Sequence, residues 1–459
     1  MARKPQGGMR NMTEGSPAGH ILAFSLPLLA GNFLQQLYNM VDSWVVGNYV
    51  SDAALAAVGV GFPVIFMFTS LFMGISTGGT VVIAQFYGAG QLQRVRDAVD
   101  TVYAAFVRGI LPITLFAVLM VRPLLTLLRV DQSAYQEAFI YLCVVCAGLM
   151  GNIGYNLNAG ILNGLGNSQT TLLFLSISTV MNIVLDLTFV LVFHWGVFGV
   201  AFATILAQLS SWLFGLFYIN RNYPEIAIHP FRAKLDVPLL RRILSIGLPA
   251  GIQMSLVSVS MLLILSKINT YGKAFTAGFN VGNKLDALAF LPTQSLSSAI
   301  TAFVGQNIGA GREDRAHKGI RVAVTGAAAW TIFSTVLLLW QGDVLTAFFS
   351  PEPSVVEASV LYLKGIMPPY VLFAILFVLN AAMRGAGASL FPMFNVVAST
   401  ILVRVPLLYF LANRFGPAVM FHSYGVGWAV GCAASVAYYL SGRWKKYGSV
   451  AAEKAEETL

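Results

Sequence analysis

"TLLFLSISTVMNIVLDLTFVLVF", residues 171–193, runs for 23 residues with a single ionisable side chain, Asp186. An α-helix rises about 1.5 Å per residue, so about 20 apolar residues cross the hydrocarbon core of a bilayer. The stretch therefore reads as a membrane-spanning helix, far too long for an ordinary strand. The rest of the chain has the same character. It is 57% hydrophobic and 10% charged over 459 residues, with a mean hydropathy of +0.73, whereas a soluble domain carries about 25% charged residues. Too few polar side chains are present to cover a water-soluble globule. Transmembrane barrels would show alternating segments of about 10 residues, and none is evident. The fold class is an all-α polytopic membrane protein.

Twelve spans are expected, beginning near residues 17, 52, 94, 133, 168, 196, 240, 275, 314, 355, 389 and 421. Short polar or Gly/Pro punctuation such as "GAGQLQR" and "SPEPS" separates them. Basic residues before the first apolar run resemble a secretion signal. That span carries Asn, Gln and Asp and lacks an A-x-A cleavage site, so it is expected to be retained. The net charge of +9 follows topology. Nineteen Lys and Arg fall on the side of both termini and six on the other, with Arg108, Lys284 and Arg404 inside spans. This positive-inside pattern puts both termini in the cytoplasm. It makes anionic membrane lipid a lesser partner and gives no reason to invoke nucleic acid.

The chain repeats itself. "ILAFSLPLLAG" from Ile21 returns as "ILSIGLPAGIQ" from Ile243, and "AQFYGAGQLQRV" from Ala84 as "GQNIGAGREDRA" from Gly305. "NGLGNSQ" from Asn163 returns as "RGAGASL" from Arg384, so the three offsets are 222, 221 and 221. Two homologous six-helix bundles follow. Six is even, so both halves share one orientation and form a parallel repeat around a central cleft. The expected organisation is a cytoplasmic N-terminal tail (1–16) and an N-lobe (17–219). A polar cytoplasmic linker (220–242), a C-lobe (243–446) and a cytoplasmic C-terminal tail (447–459) complete it.

Three acids lie well inside spans: Asp42, Asp186 and Asp286. An intramembrane acid is by default a functional candidate, because its burial has to be compensated. Asn32, Gln35, Asn39 and Asp42 step by three, four and three residues, so they line one helix face. Thr179, Asn182 and Asp186 make a second stripe on span five, and Thr204, Gln208 and Ser211 a third on span six. Amides alone could serve helix–helix hydrogen bonding, which explains an acid less well. Two carboxylates with an amide and hydroxyls could hold a hard monovalent cation. Desolvation and a like-charged neighbour equally favour a protonated carboxyl, so such a set could hold either H⁺ or Na⁺. Asp286 is expected to pair with another helix or to sit near the interface.

Other chemistry finds little support. "GISTG", residues 74–78, fits a nucleophile elbow formally, yet it lies in a helix with no mid-membrane histidine. Small-residue helix packing is the better reading. No Walker loop is present, so neither an enzyme nor a bound cofactor is expected. Cys143 and Cys146 form C-x-x-C among apolar neighbours and read as packing residues. Pro27 stands out among the span prolines, about four turns before Asp42 on the same helix.

Taken together, "QQLYNMVDSWVVG" in span one, "MNIVLD" in span five and "FVGQNIGAGREDRA" after span eight resemble the MATE family of multidrug and toxic compound extrusion transporters. The similarity is to its DinF-like and MepA-like bacterial branch and extends over roughly residues 15–446. The resemblance implies a multi-pass protein of the bacterial plasma (inner) membrane. It would export cationic or amphipathic drugs by H⁺ or Na⁺ antiport, with alternating access of two lobes. On that resemblance Asp42, Asn182 and Asp186 are the cation site and Thr204 the span-six hydroxyl, with Asn158, or else Asn156, the polar residue of span four. A sodium ion, if used, would sit at Asp42, Asn182, Asp186 and Thr204. Gln35, Tyr38 and Asn39 match cavity-facing positions, and Pro27 matches a bending proline. Span seven has no acid and Glu357 lies at the edge of span ten, so a coupling site in the second lobe is not expected. A lipid-linked oligosaccharide or lipid flippase of the same superfamily is the alternative; twelve spans and an acid-bearing lobe argue against it. A monomer would suffice.

Overall fold

The computed structural model describes residues 8–127, 130 and 132–448. The expected N-terminal tail before residue 8 and C-terminal tail after residue 448 lie outside the described residues. Helices begin close to all twelve expected starts, and no strand occurs among the described residues. Nine of the described helices are long and apolar enough to cross a membrane, or eleven if two bent pairs each count as one. The 19-residue helix His422–Leu440 supplies the twelfth segment.

In chain order the helices of the first half are α1 (Pro17–Tyr49), α2 (Asp52–Gly88), α3 (Leu92–Leu127), α4 (Gln132–Ala147), α5 (Leu149–Gly164), α6 (Ser168–Leu187) and α7 (Gly196–Asn222). The second half contains α8 (Val237–Asn269), α9 (Lys273–Gly309), α10 (Glu313–Phe349), α11 (Pro353–Ile366) and α12 (Tyr370–Gly385). It continues with α13 (Leu390–Val397), α14 (Val405–Phe415), α15 (Pro417–Met420) and α16 (His422–Leu440). A π-helical turn, Thr188–Val192, extends α6, and another, Ala398–Arg404, joins α13 to α14.

The chain forms two compact units, one of which is Leu26–Gly251 with the described residues before Met12. The other is Met12–Ser25 with the described residues from Ile252 onward. The linker and the first half of α8 therefore pack with the N-terminal half. Linker residues 223–236 form a loop with a short 3₁₀ turn, Pro224–Ile226.

Within the first unit, α2 meets the start of α8 along glycines. A Cβ on Gly247 would lie 2.6 Å from Gly74 O, and one on Gly251 2.9 Å from Leu71 Cα. Cβ atoms on Gly74 and Gly78 would press on the Gly247 and Ile243 carbonyls. "GISTG" is thus a helix-packing seam, and Ser76 Oγ donates to Asn156 O at 2.6 Å. The α4–α5 pair bends by 48° across Gly148, where a Cβ would collide with Ile205. Cys143 and Cys146 are free thiols. On α3, Leu111, Leu115 and Leu119 are 74%, 61% and 61% exposed at four-residue steps; an apolar stripe so bare belongs against lipid.

The second unit repeats the bend. The α11–α12 pair turns by 59°, across Pro368 and Pro369. Its α9–α10 junction, the "FVGQNIGAGREDRA" stretch, holds the N-terminal segment. Buried Arg315 donates to the carbonyls of Met12, Glu14 and Gly15 at 3.1, 3.0 and 2.8 Å. The Met12 amide donates to Gln306 Oε1 at 2.9 Å, and Asn307 Nδ2 donates to Met12 O at 3.2 Å.

Candidate functional site

The acids of the first half meet within one unit. Asp42 on α1 is 8% exposed; Asn182 and Asp186, one turn apart on α6, are fully buried. Asparagine's terminal atoms are told apart by their partners. With its nitrogen toward the acids, Asn182 donates to Asp42 Oδ1 at 2.9 Å and to Asp186 Oδ2 at 3.1 Å. One amide nitrogen thus bridges two carboxyls from different helices. The other end of the same amide lies by Thr204 on α7, at 3.5 Å. Thr204 Oγ1 donates to Val200 O at 3.1 Å and receives the Tyr38 hydroxyl at 3.5 Å. Asp186 Oδ1 is buried without a hydrogen-bond partner. Leaving a buried acceptor unmade costs about 1–3 kcal/mol, so this atom has unused capacity to accept a proton or a small cation. The donor set, two carboxyls with neutral amide and hydroxyl oxygens, fits either. Among the described residues there is no group of three or more His, Cys, Asp or Glu that could hold a metal ion.

The expected residues are not all gathered here. Asn158 is fully buried but belongs to a separate network: it accepts from the Tyr103 hydroxyl and donates to Trp212 O at 3.0 Å. Its side chain is spent on fixing α5 against α3 and α7. Gln35 is exposed on α1 and Asn39 half-buried. Helix α1 runs without a break through Pro27, two residues after the point where the chain passes between units. One residue escaped the sequence reading. Tyr141 on α4 lies within electrostatic reach of both acids, and Gly61 on α2 leaves room for its ring, which a Cβ would approach to 2.8 Å. A tyrosine amid apolar neighbours gives no stripe, so nothing in the sequence flagged it.

For Asp286 the ion-pair alternative is the one the structure does not bear out. It forms no ion pair with another helix among the described residues. Instead it accepts from the Tyr370 hydroxyl at 2.5 Å and the Tyr362 hydroxyl at 3.1 Å.

Comparison with known proteins agrees with this architecture. The MatE family model matches twice, over residues 27–188 and 249–410. The chain is a member of the MATE transporter family. It is 29% identical to the probable multidrug resistance protein YpnP of Bacillus subtilis, covering 95% of this chain and 97% of that one. The probable multidrug resistance protein NorM of Thermotoga maritima is 26% identical, with 95% of each chain covered. A solved MATE structure described as the bent conformation superposes with a TM-score of 0.88, at 22% identity, over 97% of this chain and all of that one. This MATE protein is thus a multi-pass membrane transporter with relatives named for multidrug resistance.

Proposed function

We propose that this MATE protein is a secondary active multidrug exporter that expels cationic or amphipathic organic compounds by antiport against an inward-moving cation. The observation that carries the reading is the Asn182 bridge between two buried carboxyls, Asp42 and Asp186. An unpaired charge in hydrocarbon costs several kcal/mol. Loading and unloading a cation here therefore changes the energy of the whole lobe. A conformational equilibrium shifts only as far as the cation's affinities for the two states differ. The site suits H⁺ with the Asn182 nitrogen toward the acids. Na⁺ would need that amide turned, its oxygen joining Asp42, Asp186 and Thr204 as ligands. The names of the multidrug relatives support drug export over lipid flipping.

The protein works in the bacterial inner membrane as a monomer, both termini cytoplasmic, with lobes at 17–219 and 243–446. Pro27 gives α1 a place to bend as the site is neutralised. The test is ethidium efflux from proteoliposomes under separately imposed pH and sodium gradients, with labelled-lipid translocation measured alongside. Efflux driven by an acidic exterior alone makes H⁺ the ion, and efflux driven by a sodium gradient alone makes Na⁺ the ion. Coupled efflux retained by Asp42→Asn would refute the site.

A further inference from the structure

The loop between α7 and α8 presents an aromatic ring to its surroundings at a fixed point. Phe231 is 86% exposed, although Tyr223, Ile226 and Ile228 of the same loop are buried. The ring is therefore turned away from the apolar side of its own loop. It stands at the third position of a β-turn, His229–Pro230–Phe231–Arg232, closed by the Arg232 amide donating to His229 O at 2.9 Å. Pro230 occupies the second position, which its fixed φ favours. The base of the turn is clamped to α7. Asn220 Nδ2 donates to Ile228 O at 2.9 Å, and the Ile228 amide donates to Asn220 Oδ1 at 2.6 Å.

Asn220 sits where α7 leaves the bilayer. Leu213 and Phe217, one turn apart, are both exposed, as on a lipid-facing stripe. One turn further on, the Arg221 guanidinium lies 6.0 Å from the Phe217 ring centroid. A basic side chain beside the last exposed aromatic of a span marks the headgroup level. Phe231 is three residues beyond the clamped Ile228, so at most about 10 Å of chain separates it from that level. The headgroup layer is itself about 5–8 Å deep. The basic groups of the loop divide between two tasks. His229 and Lys234 lie within electrostatic reach of Asp100 on α3. Arg232, exposed beside the ring, forms no ion pair among the described residues. A bare ring next to an uncompensated cation complements the surface of a membrane carrying anionic lipid.

We infer that the His229–Arg232 turn is a membrane anchor that binds anionic phospholipid in the leaflet on its own side, cytoplasmic in the proposed orientation. Phe231 enters the headgroup layer and Arg232 pairs with lipid phosphate. The anchor tethers the linker to the bilayer surface and uses no residue of the coupling site.

The test puts p-benzoylphenylalanine, a photoreactive analogue of the native side chain, at position 231 of the full-length protein. The protein is irradiated in liposomes of equal phosphatidylcholine and phosphatidylglycerol and weighed intact. Lipid adducts should form, and they should be about fivefold scarcer when the analogue replaces Glu225, exposed in the same loop. Phosphatidylglycerol adducts should outnumber phosphatidylcholine adducts severalfold, and R232Q should bring the two to parity. Equal yields at 225 and 231, no lipid adduct at 231, or a crosslink to a second protein chain in its place overturns the proposal. A phosphatidylglycerol preference that survives R232Q overturns the pairing of Arg232 with phosphate. If the analogue-bearing protein does not fold, a fluorophore on Ala233→Cys in a cysteine-free background decides. Its quenching by lipid spin-labelled at the headgroup should fall about twofold or more on adding F231S; unchanged quenching overturns the anchor.

Discussion

The side chain of Asn182 has one nitrogen, and both of its protons are taken by the carboxyls of Asp42 and Asp186. That fixes the spacing of the two acids without a basic residue. Replacing either acid by Asn is expected to abolish gradient-driven efflux in proteoliposomes while the purified protein remains folded. Thr204→Ala removes a neutral hydroxyl, a loss of about 0.5–1.5 kcal/mol. Coupling-ion affinity should therefore fall about two- to twelvefold, seen as a shifted half-saturation in the ion dependence of efflux. The four residues Asp42, Asn182, Asp186 and Thr204 were legible in sequence because a polar side chain recurring at helical spacing is conspicuous on an apolar background. Tyr141 was not, since a mostly apolar ring among apolar residues carries no such contrast. Asn158 was assigned from resemblance alone, and its hydrogen bonds to Tyr103 and Trp212 depend on tertiary neighbours that a single helix cannot reveal.

Helix α2 shows how much meaning a glycine's surroundings give it. A Cβ on Gly59 would meet no atom within 4 Å, whereas Gly74 and Gly78 face the backbone of α8. Gly59→Ala should be neutral or stabilising by up to about 1 kcal/mol, because alanine loses less backbone entropy in a helix. Gly78→Ala has to push α8 away, and overpacking of that kind costs about 1–3 kcal/mol. Thermal unfolding in detergent, run on the two variants side by side, measures the contrast; equal melting points would rule the seam out as a tight contact. The small-residue character of "GISTG" was readable from composition, although its partner was not. The α11–α12 bend was readable in Pro368 and Pro369, while the α4–α5 bend at Gly148 was not. That glycine is required by Ile205, which is distant in sequence.

For the molecule as a whole, the near-constant repeat offset foretold the two halves, and the paired family match repeats it at 222 residues. The division of α1 and α8 between units could not be foretold, because periodicity along a helix does not say which neighbour each end packs against. Orientation is open to direct measurement in a cysteine-free background. Phe231→Cys, at an 86% exposed linker position, should react with a membrane-impermeant maleimide only from the cytoplasmic side. Lys273→Cys, exposed at the start of α9, should react only from outside; the opposite pattern would invert the topology. The clasp on the N-terminal segment bears on how the protein is made. Arg315 and Met12 are 303 residues apart, and at about 5–20 residues per second of synthesis that gap lasts on the order of 15–60 s. The leading residues leave the ribosome long before their guanidinium exists, so the first helix must enter the membrane provisionally and settle only once α10 has been translated.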